Sequence, residues 1–187
     1  DVGWGNKYKD DHGNPKKTDR NAMTGMALLA YLGHCELQDS PTFGPTVQKG
    51  IDFLTSTPPD PAINGGSGSY SHPIRAYALC EAYTMTKIPK LKEYAKRASE
   101  HVIKGQNESG GWAYGYGKGP VAHTDLSVTG WNIQALKAAA LTGIPACIWQ
   151  RHFPKAGLRL FDLKEYPQCL VLLQNFRSLL LDPCINN

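Results

Sequence analysis

The sequence lacks the patterns that mark a membrane protein, a zinc ribbon or a phosphate-binding loop. No apolar run approaches the roughly 20 residues that a membrane span requires, so we expect a soluble chain. The five cysteines include no C-x-x-C pair, which excludes zinc-ribbon spacing and gives no sign of a disulfide framework. Cys35 and Cys80 lie inside apolar helical patterns, where buried free thiols are expected. We predict no metal site and no cofactor.

A strong excess of one charge is also missing. Lysine and arginine total 20 against 16 aspartate and glutamate residues, and the lysines are scattered among carboxylates. This distribution argues against nucleic acid as a partner. The chain starts at Asp1 without a basic and then apolar leader, which predicts either a processed, exported mature chain or a fragment. Its 187 residues, 41% of them hydrophobic, suffice for one domain with a sizeable core.

The sequence does contain an internal repeat. Three similar segments read TGMALLAY, AYALCEAY and TGWNIQAL, at 24–31, 76–83 and 129–136. Their alanines are 52 and then 53 residues apart, at Ala30, Ala82 and Ala135. A period of that size with helical content is typical of stacked helix pairs.

A second, amphipathic helix follows each of the first two apolar ones. One apolar stripe consists of Leu91, Tyr94, Ala95, Ala98 and Val102, and a shorter one of Val47, Ile51 and Leu54. The first helices are apolar almost all round, so we predict that they form a buried inner ring inside a partly solvated outer ring. Glycine-rich segments at 2–18, 57–71 and 105–123 lead into the inner helices and should therefore lie on one rim.

The segment from Gln106 to Trp112 matches the pattern Q-x-x-x-G-x-W. Together with the repeat period, it resembles the squalene cyclase and prenyltransferase repeat family over roughly residues 23–144. The resemblance implies an all-α fold, an α/α toroid of antiparallel helix hairpins, here an incomplete ring of about three pairs over residues 1–145. Residues 146–187 diverge from the repeat and leave room for one further helix.

The same motif has a structural logic of its own. A glutamine near the end of an outer helix can donate to the last carbonyl groups, glycines turn the chain, and the tryptophan covers the junction with the next pair. We therefore expect Gln106 and Trp112 to contribute to stability.

The catalytic signatures of that family are absent. The chain has no D-x-D-D motif, the proton donor of squalene–hopene-type cyclases, and its closest acidic pair, Asp10 and Asp11, lies in a polar segment. The prenyltransferase zinc ligands are not matched by the adjacent His34 and Cys35. The resemblance thus supports the fold and does not carry over the activity.

The repeat register points to a candidate site on the rim. Arg20, His72 and Asp125 each lie ten positions before the alanine of their repeat, where an inner helix begins. Helix N-termini favour anions, and parallel inner helices would bring these residues together. The catalytic candidates are Asp125, His72 and His123, and the ligand-binding candidates are Arg20, His72, Arg75, Tyr70, Trp112, Tyr114 and Tyr116. In the alternative interpretation, Asp125 is only an N-cap and His72 only a hydrogen-bonded loop residue.

Three functions remain open at this point. The first is a repeat domain that binds a glycan or an apolar small ligand at its aromatic, polar rim. The second is a hydrolase or lyase that acts on a glycan through rim carboxylates, with Asp125 as one and Asp19 or Glu108 as a less suitable second. The third is a structural or assembly role, because an open arc exposes apolar end faces through which copies can associate.

Overall fold

The computed structural model describes residues 7–9, 15–17, 19–56, 68–107, 110–116 and 124–144. Its five helices are α1 (Arg20–Gly33), α2 (Gly44–Ser56), α3 (Gly68–Thr86), α4 (Pro89–Lys104) and α5 (Leu126–Leu141). A 3-10 turn, Tyr114–Tyr116, precedes α5. Two three-residue strands, β1 (Lys7–Lys9) and β2 (Pro15–Lys17), pair antiparallel in a segment that we expected to be a loop. The packed helices confirm the all-α prediction, whereas the incomplete α/α toroid stays a prediction.

Helix α3 lies at the centre of the packing. It contacts α1, α2, α4 and α5, and every residue from 71 to 82 is buried. Helix α2 also packs on α1, and α4 also packs on α5. The apolar helices α1, α3 and α5 therefore form an inner row and α2 and α4 an outer row, in the order that their sequence patterns predict.

The amphipathic pattern of the outer helices explains their place. In α4, Leu91, Ala95, Ala98 and Val102 are buried and follow one another at helical spacing. Pro89 is at the first helical position, where its missing N–H has no partner to lose. One face of α4 thus joins the core while its charged face stays in solvent.

Helix α3 begins earlier than expected, because residues 68–71 belong to it and not to the preceding loop. Tertiary contacts hold this added turn. The Ser69 hydroxyl accepts a hydrogen bond from the Gly115 N–H at 2.6 Å, and Tyr70 bonds to two side chains of the neighbouring segment. Local sequence patterns contain no information about these contacts. The sequence therefore predicts a later start for α3.

The turn after α4 contains the Q-x-x-x-G-x-W motif. Gln106 Nε2 donates to the carbonyl of Gly110, 2.7 Å away. We expected it to donate to the last carbonyl groups of α4, and that expectation is wrong. Gly110 has a φ of +91°, which favours glycine. The indole Nε1 of Trp112 instead donates to the carbonyl of Val102, and the Trp112 amide donates to Thr129 of α5. Trp112 therefore joins two helix pairs, as its predicted role requires.

The prediction that Cys35 is a buried thiol inside a helix is wrong. Helix α1 ends at Gly33, and Cys35 follows it with a positive φ of 61°, exposed and disulfide-bonded. The helix stops before the cysteine, which removes it from the apolar stripe. Cys80 is buried and free, as expected, and burial raises the pKa of its thiol to about 12.

None of the described helices is both long enough and apolar enough to cross a membrane. The predicted domain boundary at residue 145 and the segment 146–187 lie outside the described residues.

Candidate functional site

The N-terminal ends of the three inner helices meet at one edge of the structure. Asp19 is the N-cap of α1, where its Oδ1 accepts from the Ala22 N–H at 3.3 Å. The other oxygen, Oδ2, accepts a hydrogen bond from the Ser71 hydroxyl in the first turns of α3. Asp125 is the N-cap of α5 and accepts from the Val128 N–H at 2.9 Å. Capping thus places one carboxylate at each end of the inner row.

A chain of hydroxyl groups connects α3 to α5 along this edge. The Tyr70 hydroxyl lies 2.7 Å from the Tyr114 hydroxyl and 2.7 Å from Ser127 Oγ. Ser127 in turn donates to Asp125 Oδ1 at 2.6 Å. We call the group formed by these four residues with Asp19 and Ser71 the rim cluster.

The rim cluster presents an aromatic ring and polar groups to solvent. Tyr114 is 50% exposed, and its ring meets that of Tyr70 edge-on with centroids 5.7 Å apart. Ser127 is exposed, and Leu126 beside it is 79% exposed. Hydroxyl, carboxylate and aromatic surface thus occur side by side, a combination that suits a ligand with both C–H faces and hydroxyl groups.

Two groups of the rim cluster have shifted acidities. Burial raises the pKa of Asp19 above its ordinary value of 3.8, against the opposing effect of hydrogen bonds from the backbone at Ala22 and Asn21. The hydrogen bond with Tyr70 raises the pKa of Tyr114, and the charge of Asp125 acts in the same direction. Asp19 therefore holds its proton more tightly than a solvated aspartate does.

His72 and Tyr116, both predicted to bind ligand, lie buried beneath the rim. The His72 ring centroid is 4.2 Å from that of His101 and 5.9 Å from that of Tyr116. The Tyr116 hydroxyl donates to Asn132 Oδ1 at 2.7 Å, and burial raises its pKa. These side chains form an internal layer between α3, α4 and α5 and are not part of the exposed surface.

Arg75 and Trp112 are also buried and are not at the rim. Arg75 Nε and Nη2 both donate to the Leu54 carbonyl, at 3.0 and 2.7 Å, near the C-terminal end of α2. Burial lowers the pKa of Arg75 to about 10. Trp112 has no exposed surface, and its contacts are those of a core residue. The structure thus supports structural roles for both side chains.

Arg20 and His123 complete the predicted set. Arg20 is half-buried at the start of α1, with its guanidinium 4.9 Å from the centre of the Phe53 ring. His123 lies outside the described residues. Of the candidates named from sequence, the structure brings Tyr70, Tyr114 and Asp125 together at the surface.

Sequence analysis missed Ser71 and Ser127. Ser71 lies 52 residues after Asp19, so both occupy the same repeat position, and that register is the signal that identifies it. Ser127 follows Asp125 by two residues, where a hydroxyl can reach the carboxylate of a cap. Among the described residues, no group of three or more histidine, cysteine, aspartate or glutamate side chains is placed to hold a metal ion.

The described residues thus form an all-α array of five packed helices with the polar and aromatic rim cluster at one edge. Comparison with models of protein families, with curated proteins and with solved structures found no match. The resemblance to the squalene cyclase and prenyltransferase repeats therefore depends on the repeat period and the Q-x-x-x-G-x-W motif.

Proposed function

We propose that this chain is a repeat domain of the squalene cyclase and prenyltransferase type, without the cyclase acid motif, that binds a glycan at the rim cluster. The observation that carries the proposal is the surface hydrogen-bond chain from Tyr114 through Tyr70 and Ser127 to Asp125. Sugar rings combine an apolar C–H face with several hydroxyl groups. Tyr114 offers a ring for the first, and Ser127 and Asp125 offer acceptors for the second.

A glycan fits this surface better than an isoprenoid does. An isoprenoid chain has no hydrogen-bonding groups along its length, so it gains most in an enclosed apolar cavity. The rim cluster is instead open, and its hydroxyl and carboxylate groups would lose water against an apolar chain without compensation. The exposed hydroxyl and carboxylate groups of the rim cluster thus favour a glycan over an isoprenoid as the ligand.

Binding can be measured by isothermal titration calorimetry with two soluble probes, an α-linked and a β-linked glucose hexasaccharide. Tyr114→Ala should weaken binding of the preferred probe about tenfold or more, which corresponds to about 1.4 kcal/mol. Tyr114→Phe should retain most of the affinity if ring contact dominates. Lys96→Ala on the exposed face of α4 is the matched control and should bind like wild type.

Asp125→Asn separates the ligand role of this residue from its capping role. Asparagine caps about as well as aspartate, so the melting temperature should stay nearly constant while sugar affinity falls. Equal affinities for wild type, Tyr114→Ala and Asp125→Asn would contradict the proposal. Binding of farnesyl diphosphate with no sugar binding would favour the isoprenoid interpretation instead.

A glycan hydrolase is the second candidate, and the raised pKa of Asp19 favours it. Glycosidases pair a protonated carboxylic acid, which protonates the leaving oxygen, with an ionised carboxylate that takes a proton from water. Asp19 suits the first role. Asp125 caps the helix at the other end of the inner row, with α3 between them, and two helix spacings of about 8–10 Å each exceed the roughly 5–10 Å between the carboxylates of a glycosidase. Asp125 is therefore not its partner, and nitrophenol release from 4-nitrophenyl glycosides should disappear in Asp19→Asn and persist in Asp125→Asn. If wild type binds sugar but releases no nitrophenol, the hydrolase candidate is wrong and only the binding function stays.

A further inference from the structure

The excess positive charge of the chain is concentrated where α4 begins. Residues 87–97 contain five of the 20 lysine and arginine residues and one of the 16 aspartate and glutamate residues, so the rest of the chain is balanced in charge. The single carboxylate of this stretch, that of Glu93, accepts a hydrogen bond from Arg97 Nε at 2.7 Å. The four lysines of the stretch therefore account for the whole net charge of +4.

Three of these lysines lie beside tyrosine rings. Lys87 Nζ and Lys92 Nζ are 5.6 and 6.0 Å from the centre of the Tyr83 ring, at the end of α3. Lys90 Nζ is 5.9 Å from the centre of the Tyr94 ring. The attraction between an ammonium group and an aromatic ring restricts the position of each long side chain. The positive charges are thus held close together at one turn of the chain.

These lysines are accessible to a partner molecule. All three are exposed, and no carboxylate of the described residues forms an ion pair with any of them. Ile88, in the turn between α3 and α4, is 38% exposed beside them. We call the surface formed by the three lysines, the two tyrosine rings and Ile88 the basic patch. It presents positive charge next to an apolar side chain.

The basic patch and the rim cluster lie at opposite ends of α3. Tyr70 is in the first turn of this helix and Tyr83 is in its last turn. At 1.5 Å per residue, these two positions are about 20 Å apart along the helix axis. A ligand of the basic patch therefore binds away from the rim, and each site can be altered while the other stays intact.

We propose that the basic patch binds an acidic, extended peptide segment of another protein. Carboxylate groups of the peptide would pair with the lysines, and an apolar side chain between them would cover Ile88. The chain itself does not supply such a segment. Residues 1–18 contain four basic and three acidic side chains, and residues 145–187 contain five and three.

An acidic peptide fits the basic patch better than other anions do. A sulfated glycan has no apolar side chain that could cover Ile88. A nucleic-acid base stacks on an open aromatic face, whereas the rings of Tyr83 and Tyr94 are half-buried and approached by ammonium groups. An anionic membrane would bury little apolar surface, because the apolar face of α4 is already packed in the core.

The test is fluorescence anisotropy at low ionic strength with three labelled peptides, EGEGLGEGE, EGEGSGEGE and QGQGLGQGQ. In an extended peptide, alternate side chains lie on the same face, so the glutamates and the leucine can contact the patch together. Wild type should bind the first peptide most tightly, the second more weakly and the third not at all. Added salt should weaken the complex, because it screens exposed charges.

Loss of a lysine should weaken binding of EGEGLGEGE. Lys90→Gln and Lys92→Gln should each lower the affinity about two- to fivefold, the range of exposed ion pairs. Lys87→Gly should do the same with an unchanged or higher melting temperature, because φ at this position is +56°, which favours glycine. The control Lys104→Gln removes the same charge at the other end of α4 and should bind like wild type.

Ile88→Ser tests the apolar contact. Ile88 is the N-cap of α4 and makes no side-chain hydrogen bond there, whereas serine is a favourable cap. The melting temperature should therefore stay constant or rise, while the preference for EGEGLGEGE over EGEGSGEGE disappears.

Absence of peptide binding by wild type overturns the proposal, as do equal affinities of wild type and the three lysine variants. Tighter binding of a heparin fragment, a DNA oligonucleotide or phosphatidylserine vesicles than of EGEGLGEGE also overturns it, because each result would assign the basic patch to another kind of anion.

Discussion

The indole Nε1 of Trp112 donates a hydrogen bond to the carbonyl oxygen of Val102, at 2.8 Å. Val102 lies in the last turn of α4, where its carbonyl also accepts a hydrogen bond from the N–H of the C-cap residue Gly105, at 3.1 Å. Trp112 also accepts a hydrogen bond from the Asp125 N–H at 2.9 Å through its own carbonyl. One residue thus ends α4 and positions the start of α5, next to the rim cluster.

Truncation of the Trp112 side chain should strongly destabilise the fold. Trp112→Ala should lower the free energy of unfolding by about 3–5 kcal/mol, because a fully buried ring is lost. Trp112→Phe keeps much of the apolar contact and loses the bond to Val102, so its cost should be smaller. Urea unfolding followed by circular dichroism measures both, and a harmless Trp112→Ala would show that the motif does not hold the pairs together.

Arg75 should stabilise the C-terminal end of α2. Its two bonds to the Leu54 carbonyl satisfy a group that the helix itself leaves without a partner. Arg75→Met removes them and should cost about 1.5–3 kcal/mol, the usual range for hydrogen bonds to a charged group. Thermal unfolding measures the loss, with Arg97→Met on the exposed face of α4 as the control.

Gly25 and Gly130 each follow a threonine at the same position of the repeat. Substitution by alanine should change the stability in opposite directions at these two positions. Gly25→Ala places a methyl group 2.9 Å from Ile74 and should destabilise the chain by about 1–3 kcal/mol. Gly130→Ala meets open space and should stabilise it by up to about 1 kcal/mol, through helix propensity. Thermal melts at low protein concentration compare the pair. Equal effects would show that α1 and α3 are not in close contact at Gly25.

Removal of one hydroxyl should report on the rim cluster directly. Tyr70→Phe eliminates the hydrogen bond that raises the pKa of Tyr114, so this pKa should fall toward its ordinary value of 10.0. Nuclear magnetic resonance of ring-labelled tyrosine, followed across an alkaline titration, resolves the individual side chain. An unchanged Tyr114 titration would place the two hydroxyl groups apart in solution.

Asp19 should make stability depend on pH in an unusual direction for a carboxylate. Burial raises its pKa in the folded state above 3.8, so the folded chain binds the proton more tightly than the unfolded chain. Relative to Asp19→Asn, wild type should therefore be most stable below about pH 3.8 and lose that advantage as the pH rises through the folded-state pKa.

Urea unfolding of both chains from pH 3 to pH 7 measures this difference. Asp52→Asn, at an exposed position of α2, shows what the loss of a surface carboxylate does by itself. A wild-type advantage that grows with pH would mean that Asp19 is stabilised in its charged form.

The repeat period and the hydrophobic patterns by themselves determined the helices and their layers. Residues 71–82 read as apolar almost all round and are all buried, because a helix without a continuous polar face lies inside. The exceptions, Ser71, His72, Arg75 and Glu81, are buried with them. The stripe from Leu91 to Val102 likewise predicted the buried face of α4. Aspartate before an apolar helix predicted the cap at Asp125, since capping is a local interaction.

Only the tertiary structure decided which polar residues share the surface. We predicted Arg75 and His72 at the rim because they lie near a helix start, and Tyr116 because it lies in a glycine-rich segment. All three are buried, since helix rotation and neighbouring segments set the direction of each side chain. The contacts of Tyr70 with Tyr114 and Ser127 join residues 44 and 57 positions apart. No local pattern encodes such pairs, because they arise only when α3 and α5 pack side by side.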